Sequence, residues 1–243
     1  MIRRFADPEA LAVAAADEVV RIARGTASGA RAHIALSGGS TPRRMFELLA
    51  ARGRDALPWD RVDLWWVDER TVPPDHPDCN YGMAKRALID PLALDRARVH
   101  RMRGEDEPEA AARDYEQQLV AAVGDPPAFA LVLLGLGPDG HTASLFPGSP
   151  ALGEDRHSVV ANRVDSPLTH GPTMRVTLTA PAINAARAVR FVVAGADKAD
   201  ALHAVLEGER NPLRCPAQLI RPASGDLVWL VDDAAASKLR GAS

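Results

Sequence analysis

Short runs that are apolar throughout alternate with helix-length amphipathic segments along most of the chain. The first segment predicts a helix, with Asp7 as N-cap, Pro8 at its first position, Glu9 behind it and Gly25 as its stop. AHIALS (32–37) reads as a buried strand, TPRRMFELLAARG (41–53) as a helix, RVDLWWV (61–67) as a strand and NYGMAKRALIDPL (80–92) as a helix. A short apolar segment near Val99 and a helix over about 107–123 precede the strand FALVLLGLG (129–137). HSVVANRV (157–164) and MRVTLTA (174–180) read as further strands, AINAAR (182–187) as a short helix, VRFVVAG (189–195) as a strand and DKADALHAVLEG (197–208) as a helix. DLVWLVDD (226–233) and AAASKLRG (234–241) add a last strand and helix. Strands apolar on both faces need cover on both faces, so the pattern predicts an α/β fold: a three-layer Rossmann-like domain whose central sheet is mostly parallel. No repeat, low-complexity stretch or long linker divides the chain, and one domain over 1–243 is expected.

Composition narrows the function classes. Hydrophobic residues make up 47% of 243, ample for a core, but only 5% are aromatic, so aliphatic packing must carry it. A net charge of −3 gives no electrostatic reason to expect nucleic acid or an acidic membrane as partner, and any anionic ligand needs a local cationic seat. Asp7, Glu9, Asp17 and Glu18 interrupt the N-terminal apolar stretch, against a signal peptide, and no apolar run reaches membrane-helix length. Two distant cysteines, Cys79 and Cys215, argue for a reducing compartment. A soluble cytoplasmic protein is therefore expected, with a monomer as the simplest assembly. The seven histidines lack metal-ligand spacing, and neither a Gly-x-Ser-x-Gly elbow, a Gly-Lys phosphate loop nor His-Glu-x-x-His occurs.

Ligands of open parallel sheets bind at the carboxyl ends of the strands, and four such ends here carry unusual chemistry. In LSGGSTPRR, Gly38 and Gly39 permit close backbone approach, Ser40 or Thr41 is expected to cap the next helix, and the exposed N–H groups suit a phosphate. Arg43 and Arg44 sit where the helix dipole disfavours positive charge unless an anion is present. In VDERTVPPDHPDCNYG, alternation puts Asp68 and Arg70 on one side and Glu69 on the other, leaving Arg70 as an anion ligand or as half of a structural ion pair. LLGLGPDGHTASLFPGSP bends at Gly135, Gly137 and Gly140 and presents Asp139 beside His141, a residue suited to general acid–base work when a carboxylate orients its ring. In VVAGADKADAL, Asp197 is the expected cap and Lys198, one of only three lysines beside 26 arginines, stands at a helix start where it suits an anion. Arg175 alternates with Met174 and Val176 and faces away from them.

LSGGSTP, WWVDERTVP with NYGM, LGLGPDGHTASLFPG, RVTLTAPAINAA and VVAGADKADAL, in this order and over nearly the whole chain, resemble the 6-phosphogluconolactonases. The resemblance implies hydrolysis of 6-phospho-D-glucono-1,5-lactone to 6-phosphogluconate without metal or other cofactor, and a fold related to glucosamine-6-phosphate deaminases and ribose-5-phosphate isomerases. It implies His141 as catalytic base with Asp139 beside it, and Gly38, Gly39, Ser40, Arg70, Arg175 and Lys198 as substrate or phosphate contacts; Thr41 of the same glycine turn and Asp68 beside Arg70 are expected to join them. Two rivals are a glucosamine-6-phosphate deaminase, whose loop also begins Asp-Gly-His but typically continues towards Asn-Glu-Pro, and a phosphosugar-binding protein without turnover. Thr-Ala-Ser-Leu-Phe-Pro after His141 favours the lactonase over the first, and the Asp139–His141 pair argues against the second.

Overall fold

The computed structural model describes residues 1–27, 29–169 and 171–240. Six strands form one all-parallel sheet: β1 (Ile2–Phe5), β2 (Ala32–Leu36), β3 (Val62–Trp66), β5 (Leu131–Leu134), β8 (Ala188–Val193) and β9 (Asp226–Asp232), in the order β1-β9-β8-β5-β2-β3. Side chains of a strand alternate between faces, and two hydrophobic clusters follow from that alternation. Ile34, Leu36, Leu64, Trp66, Leu131 and Leu133 point to one face, where Leu11, Ala15 and Val19 of α1 (Pro8–Gly25) and Met45, Phe46 and Leu49 of α2 (Ser40–Ala51) bury them. Ala35, Trp65, Val67, Val132 and Leu134 point to the other. There Tyr115 and Leu119 of α4 (Pro108–Val123), Ile183 of α5 (Ala180–Asn184) and Leu202 of α6 (Ala199–Leu206) cover them.

Part of that second layer is not helical. β4 (Asp68–Arg70), β6 (Val159–Val164) and β7 (Thr173–Leu178) form a separate antiparallel sheet in the order β4-β7-β6, whose Val159, Val176 and Leu178 join the same core. Thus the expected strands 157–164 and 174–180 exist but lie outside the central sheet. Residues 80–92 also depart from a plain helix: α3 (Asn80–Ala84) widens into a π-helical turn over Lys85–Ile89.

Other boundaries move for visible reasons. β5 stops at Leu134, not at Gly137, because the Thr142 hydroxyl takes the Gly135 carbonyl and the Gly137 N–H turns to the His141 carbonyl, both outside the ladder. Beyond β9 only a 3-10 turn, Ala235–Lys238, forms in place of the expected helix 234–241, whose Gly241 lies outside the described residues. β1 is absent from the sequence-based reading because an exposed edge strand reading Ile-Arg-Arg-Phe lacks an apolar run.

An ion-pair network that runs to the surface is centred on the buried Arg190 of β8 and Glu18 of α1. The Arg190 guanidinium, 2% exposed, bonds Glu18 at 2.9 Å and Asp226 at 2.7 Å, and Arg3 and Arg21 each reach Glu18 at 2.8 Å. Burial alone would raise the Glu18 carboxyl, but the Arg21 and Arg190 hydrogen bonds and charges outweigh it and lower it to about 2. Because the folded-state value is depressed, its stabilisation is complete above the unfolded-state value near 4.5 and is lost as pH falls towards 2. Glu18→Gln is expected to lose about 3 kcal/mol at neutral pH and to flatten the acid limb over that window, as measured by urea unfolding at stepped pH.

Candidate active site

β2 connects through α2 to β3 on one side, whereas β5 lies on its other side, so the crevice between the carboxyl ends of β2 and β5 is a topological switch point of the sheet. A cleft of about 300 Å³ opens there. Ser37, Gly38 and Gly39 line it from the loop after β2, Gly135 to Pro138 and His141 to Ser144 from the loop after β5, Asp68 and Arg70 from β4, Arg175 from β7, and Lys198 from the turn before α6.

The loop after β5 is built around one contact. His141 Nδ1 lies 2.5 Å from Asp139 Oδ1, and the His141 backbone N–H donates to the same oxygen at 3.1 Å. The ring stacks on Phe146, centroids 4.0 Å apart and planes 15° from parallel. A Cβ on Gly137 would lie 2.0 Å from Nδ1 and 2.7 Å from Asp139 Oδ1, so any side chain there would occupy the space of the pair. Gly140, at φ +81°, closes the turn by donating its N–H to the Gly137 carbonyl at 3.0 Å. Burial pushes the Asp139 carboxyl up, yet the His141 hydrogen bond and charge outweigh it and hold the group below the ordinary carboxylate value. An ionised Asp139 accepts Nδ1–H and leaves Nε2 as the proton acceptor.

The facing wall carries the cations. β4 pairs antiparallel with β7 so that Arg70 stands directly opposite Arg175, and Asp68 opposite Thr177. Like charges in register repel. Burial, followed by the Arg70 charge, lowers the Arg175 guanidinium below its usual value, and no carboxylate lies within ion-pair distance of it among the described residues. Arg70 donates to the Asp78 carbonyl, and Lys198 reaches Asp197 at 2.9 Å. Asp68 is held by the Ser144 hydroxyl at 2.6 Å and the Asn80 amide at 3.3 Å. The Ser37 hydroxyl is buried and has no hydrogen-bond partner among the described residues.

The structure brings His141, Asp68, Arg70, Arg175, Lys198, Gly38 and Gly39 into one cleft, with Asp139 behind the histidine. Glu69 faces away, as the alternation predicts. Three expectations are corrected, the α2 cap and the roles of Arg44 and Asp197. Gly39, at φ +112°, is the N-cap of α2, and neither Ser40 nor Thr41 supplies a side-chain cap. Ser40 lines an adjoining cavity of about 630 Å³ together with Arg43, and Thr41 lines neither space. Arg44 needs no anionic ligand, because Glu9 of α1 takes it at 2.7 Å and Glu47 at 3.2 Å. Asp197 is an ion partner of Lys198 rather than a helix cap.

Asn80, Ser144, Phe146 and Ser37 escaped the sequence reading. NYGM and TASLFP carry three of them, but nothing in a single chain tells that Asn80 and Ser144 meet Asp68 from 12 and 76 residues away.

Gly137→Ala is expected to leave the fold intact but swing the His141 ring off Asp139. In a turnover assay with purified protein, kcat should fall at least about tenfold, with a circular-dichroism spectrum unchanged from wild type.

Residues 6–229 match the family model of glucosamine-6-phosphate isomerases/6-phosphogluconolactonase. The 6-phosphogluconolactonase of Synechocystis is 44% identical over 90% of this chain and 90% of its own. The human 6-phosphogluconolactonase is 42% identical over 98% of this chain and 93% of its own. The solved 6-phosphogluconolactonase of Trypanosoma brucei superposes with a TM-score of 0.85 at 30% identity, covering 98% of both chains. By sequence and by fold, the chain belongs to the glucosamine-6-phosphate isomerase/6-phosphogluconolactonase family.

Proposed function

We propose that this protein hydrolyses 6-phospho-D-glucono-1,5-lactone to 6-phospho-D-gluconate, the second step of the oxidative pentose phosphate pathway, with His141 as general base. The observation that carries the reading is the 2.5 Å Asp139–His141 pair set in a cleft whose opposite wall bears Arg70, Arg175 and Lys198. The likeness to 6-phosphogluconolactonases over 90% or more of the chain supports the choice of substrate.

The phosphate of the lactone sits against Arg70, Arg175 and Lys198, with the turn at Gly38, Gly39 and Ser40 and the Ser37 hydroxyl as further donors. Its anchoring turns remote binding energy into orientation of the C1 carbonyl. His141 Nε2 then takes a proton from water as the water oxygen attacks C1, and Asp139 stabilises the imidazolium through Nδ1–H. The tetrahedral intermediate collapses by breaking the bond from C1 to the ring oxygen, which receives the proton back from Nε2. The product carboxylic acid loses its own proton to solvent. A δ-lactone is electrophilic enough that this chain of steps needs only positioned protons and charge.

With freshly generated lactone, corrected for spontaneous opening, wild type is expected to accelerate hydrolysis and His141→Ala to lose at least about 100-fold in kcat while still binding 6-phosphogluconate. Turnover undiminished in His141→Ala overturns the assignment of the base. Glucosamine 6-phosphate offered to the same preparation is expected to release no ammonia; release would move the chain to the deaminase branch of the family.

A further inference from the structure

Glu69 lies between the two residues of its strand that face the cleft, yet it takes no part in the proposed chemistry. It is 1% exposed, and each of its oxygens receives two donors. Oε1 accepts the backbone N–H groups of Arg70 and Asn80, both at 2.8 Å; Oε2 accepts the Tyr81 N–H at 2.8 Å and the Cys79 thiol at 3.3 Å. Four donors are the full complement of an ionised carboxylate and leave no place for an amide's hydrogens. Burial raises the Glu69 carboxyl, and the N–H groups of Tyr81, Asn80 and Arg70 oppose that rise.

What the carboxylate holds is the first turn of α3, where the Asn80 and Tyr81 N–H groups have no partner within the helix. From that turn Asn80 reaches back across the strand. Its side-chain amide donates to the Asp68 carbonyl at 3.0 Å and to Asp68 Oδ1 at 3.3 Å. Its carbonyl oxygen stands only 1.8 Å from where a Cβ on Gly38 would be, so Asn80 also fills the space beside the glycine turn. One buried charge thus ties the end of the long 71–79 loop to its own strand and, through Asn80, sets the positions of Asp68 and Gly38.

We infer that Glu69 is a positioning residue for the substrate-binding wall of the cleft: it fixes Asn80, and Asn80 fixes Asp68 and the Gly38 turn. The inference rests on the lactonase reading for its assay. Among the described residues neither His141 nor Asp139 bonds Glu69, Asn80 or Asp68; their loop meets this network through the Ser144 hydroxyl on Asp68, three residues beyond His141. A loose wall therefore weakens binding and leaves the proton transfer alone.

Glu69→Gln keeps the size of the side chain and sets an amide NH2 against backbone donors. In folded protein it is expected to raise KM for the lactone at least about tenfold, with kcat within about threefold of wild type and its pH profile unchanged. Asn80→Ala, which keeps the backbone bonds to Glu69, is expected to raise KM similarly. The double variant should be no worse than the poorer single variant, because both act through one path. A merely structural Glu69 would lower the melting temperature and leave KM of the folded fraction where it was, which overturns the proposal. Should Glu69→Gln not fold, an unchanged KM in Asn80→Ala overturns it equally. A wild type without lactone hydrolysis defeats the functional reading instead; binding of 6-phosphogluconate, measured by calorimetry on the same variants, then decides the positioning role independently, with weakening expected and unchanged affinity overturning it.

Discussion

The 2.5 Å contact between Asp139 and the His141 ring is the interaction around which the carboxyl edge of the sheet is arranged. Two residues apart, the two side chains meet only if the backbone between them turns sharply and nothing fills the inside of the turn. Gly140 supplies the left-handed bend, and the missing Cβ of Gly137 supplies the space. Phe146, farther along the same loop, forms a flat wall behind the imidazole and keeps it from rotating away. β5 ends at Leu134 because the polar groups of the next residues are committed to this loop, and Gly-Pro-Asp-Gly-His is the sequence consequence of that commitment.

The cationic wall depends on a second constraint, at Val67. Its N–H donates to the Leu36 carbonyl of the parallel sheet, and its own carbonyl accepts the Leu178 N–H of the antiparallel one. A single residue therefore hands the chain from one sheet to the other. The strand does not run past the edge into solvent but folds over the cleft, with Asp68 and Arg70 inward and Glu69 into the protein. Val67 is wholly buried, and its place in the core fixes the angle at which the strand leaves.

Much of this was legible in the chain, for reasons that differ from residue to residue. The buried strands β2, β3, β5, β8 and β9 carry apolar side chains on both faces, a signal that survives without any partner being known. His141 and Asp139 were legible because their chemistry is local: glycines, carboxylate and imidazole lie within five residues. Arg44 misled because its partner Glu9 sits on another helix, and local dipole reasoning cannot see an ion pair formed across the fold. The antiparallel sheet was hidden for the same reason, since the three residues of β4 are too few to show a period. Asn80 shows what a local pattern leaves out: it stands at the start of a predicted helix, and its importance arises only from what lies across the strand.

Charge sets this wall apart from the rest of the surface. A chain with net charge −3 offers no general attraction for an anion, and Arg21, Arg44 and Arg52 on and at the end of α1 and α2 are each matched by a carboxylate. Arg70 and Arg175 break that habit by standing in register, side by side, with Asp68 already engaged by Ser144 and Asn80. Two guanidinium groups brought together at a half-buried site repel more strongly than they would in water. Arg175 is depressed in consequence, first by burial and then by its neighbour. If the proposed function holds, a phosphate dianion relieves that repulsion and satisfies donors of this wall, which is then more stable occupied than empty. On the proposed reading, the binding energy that relief provides is what holds the lactone carbonyl in front of His141.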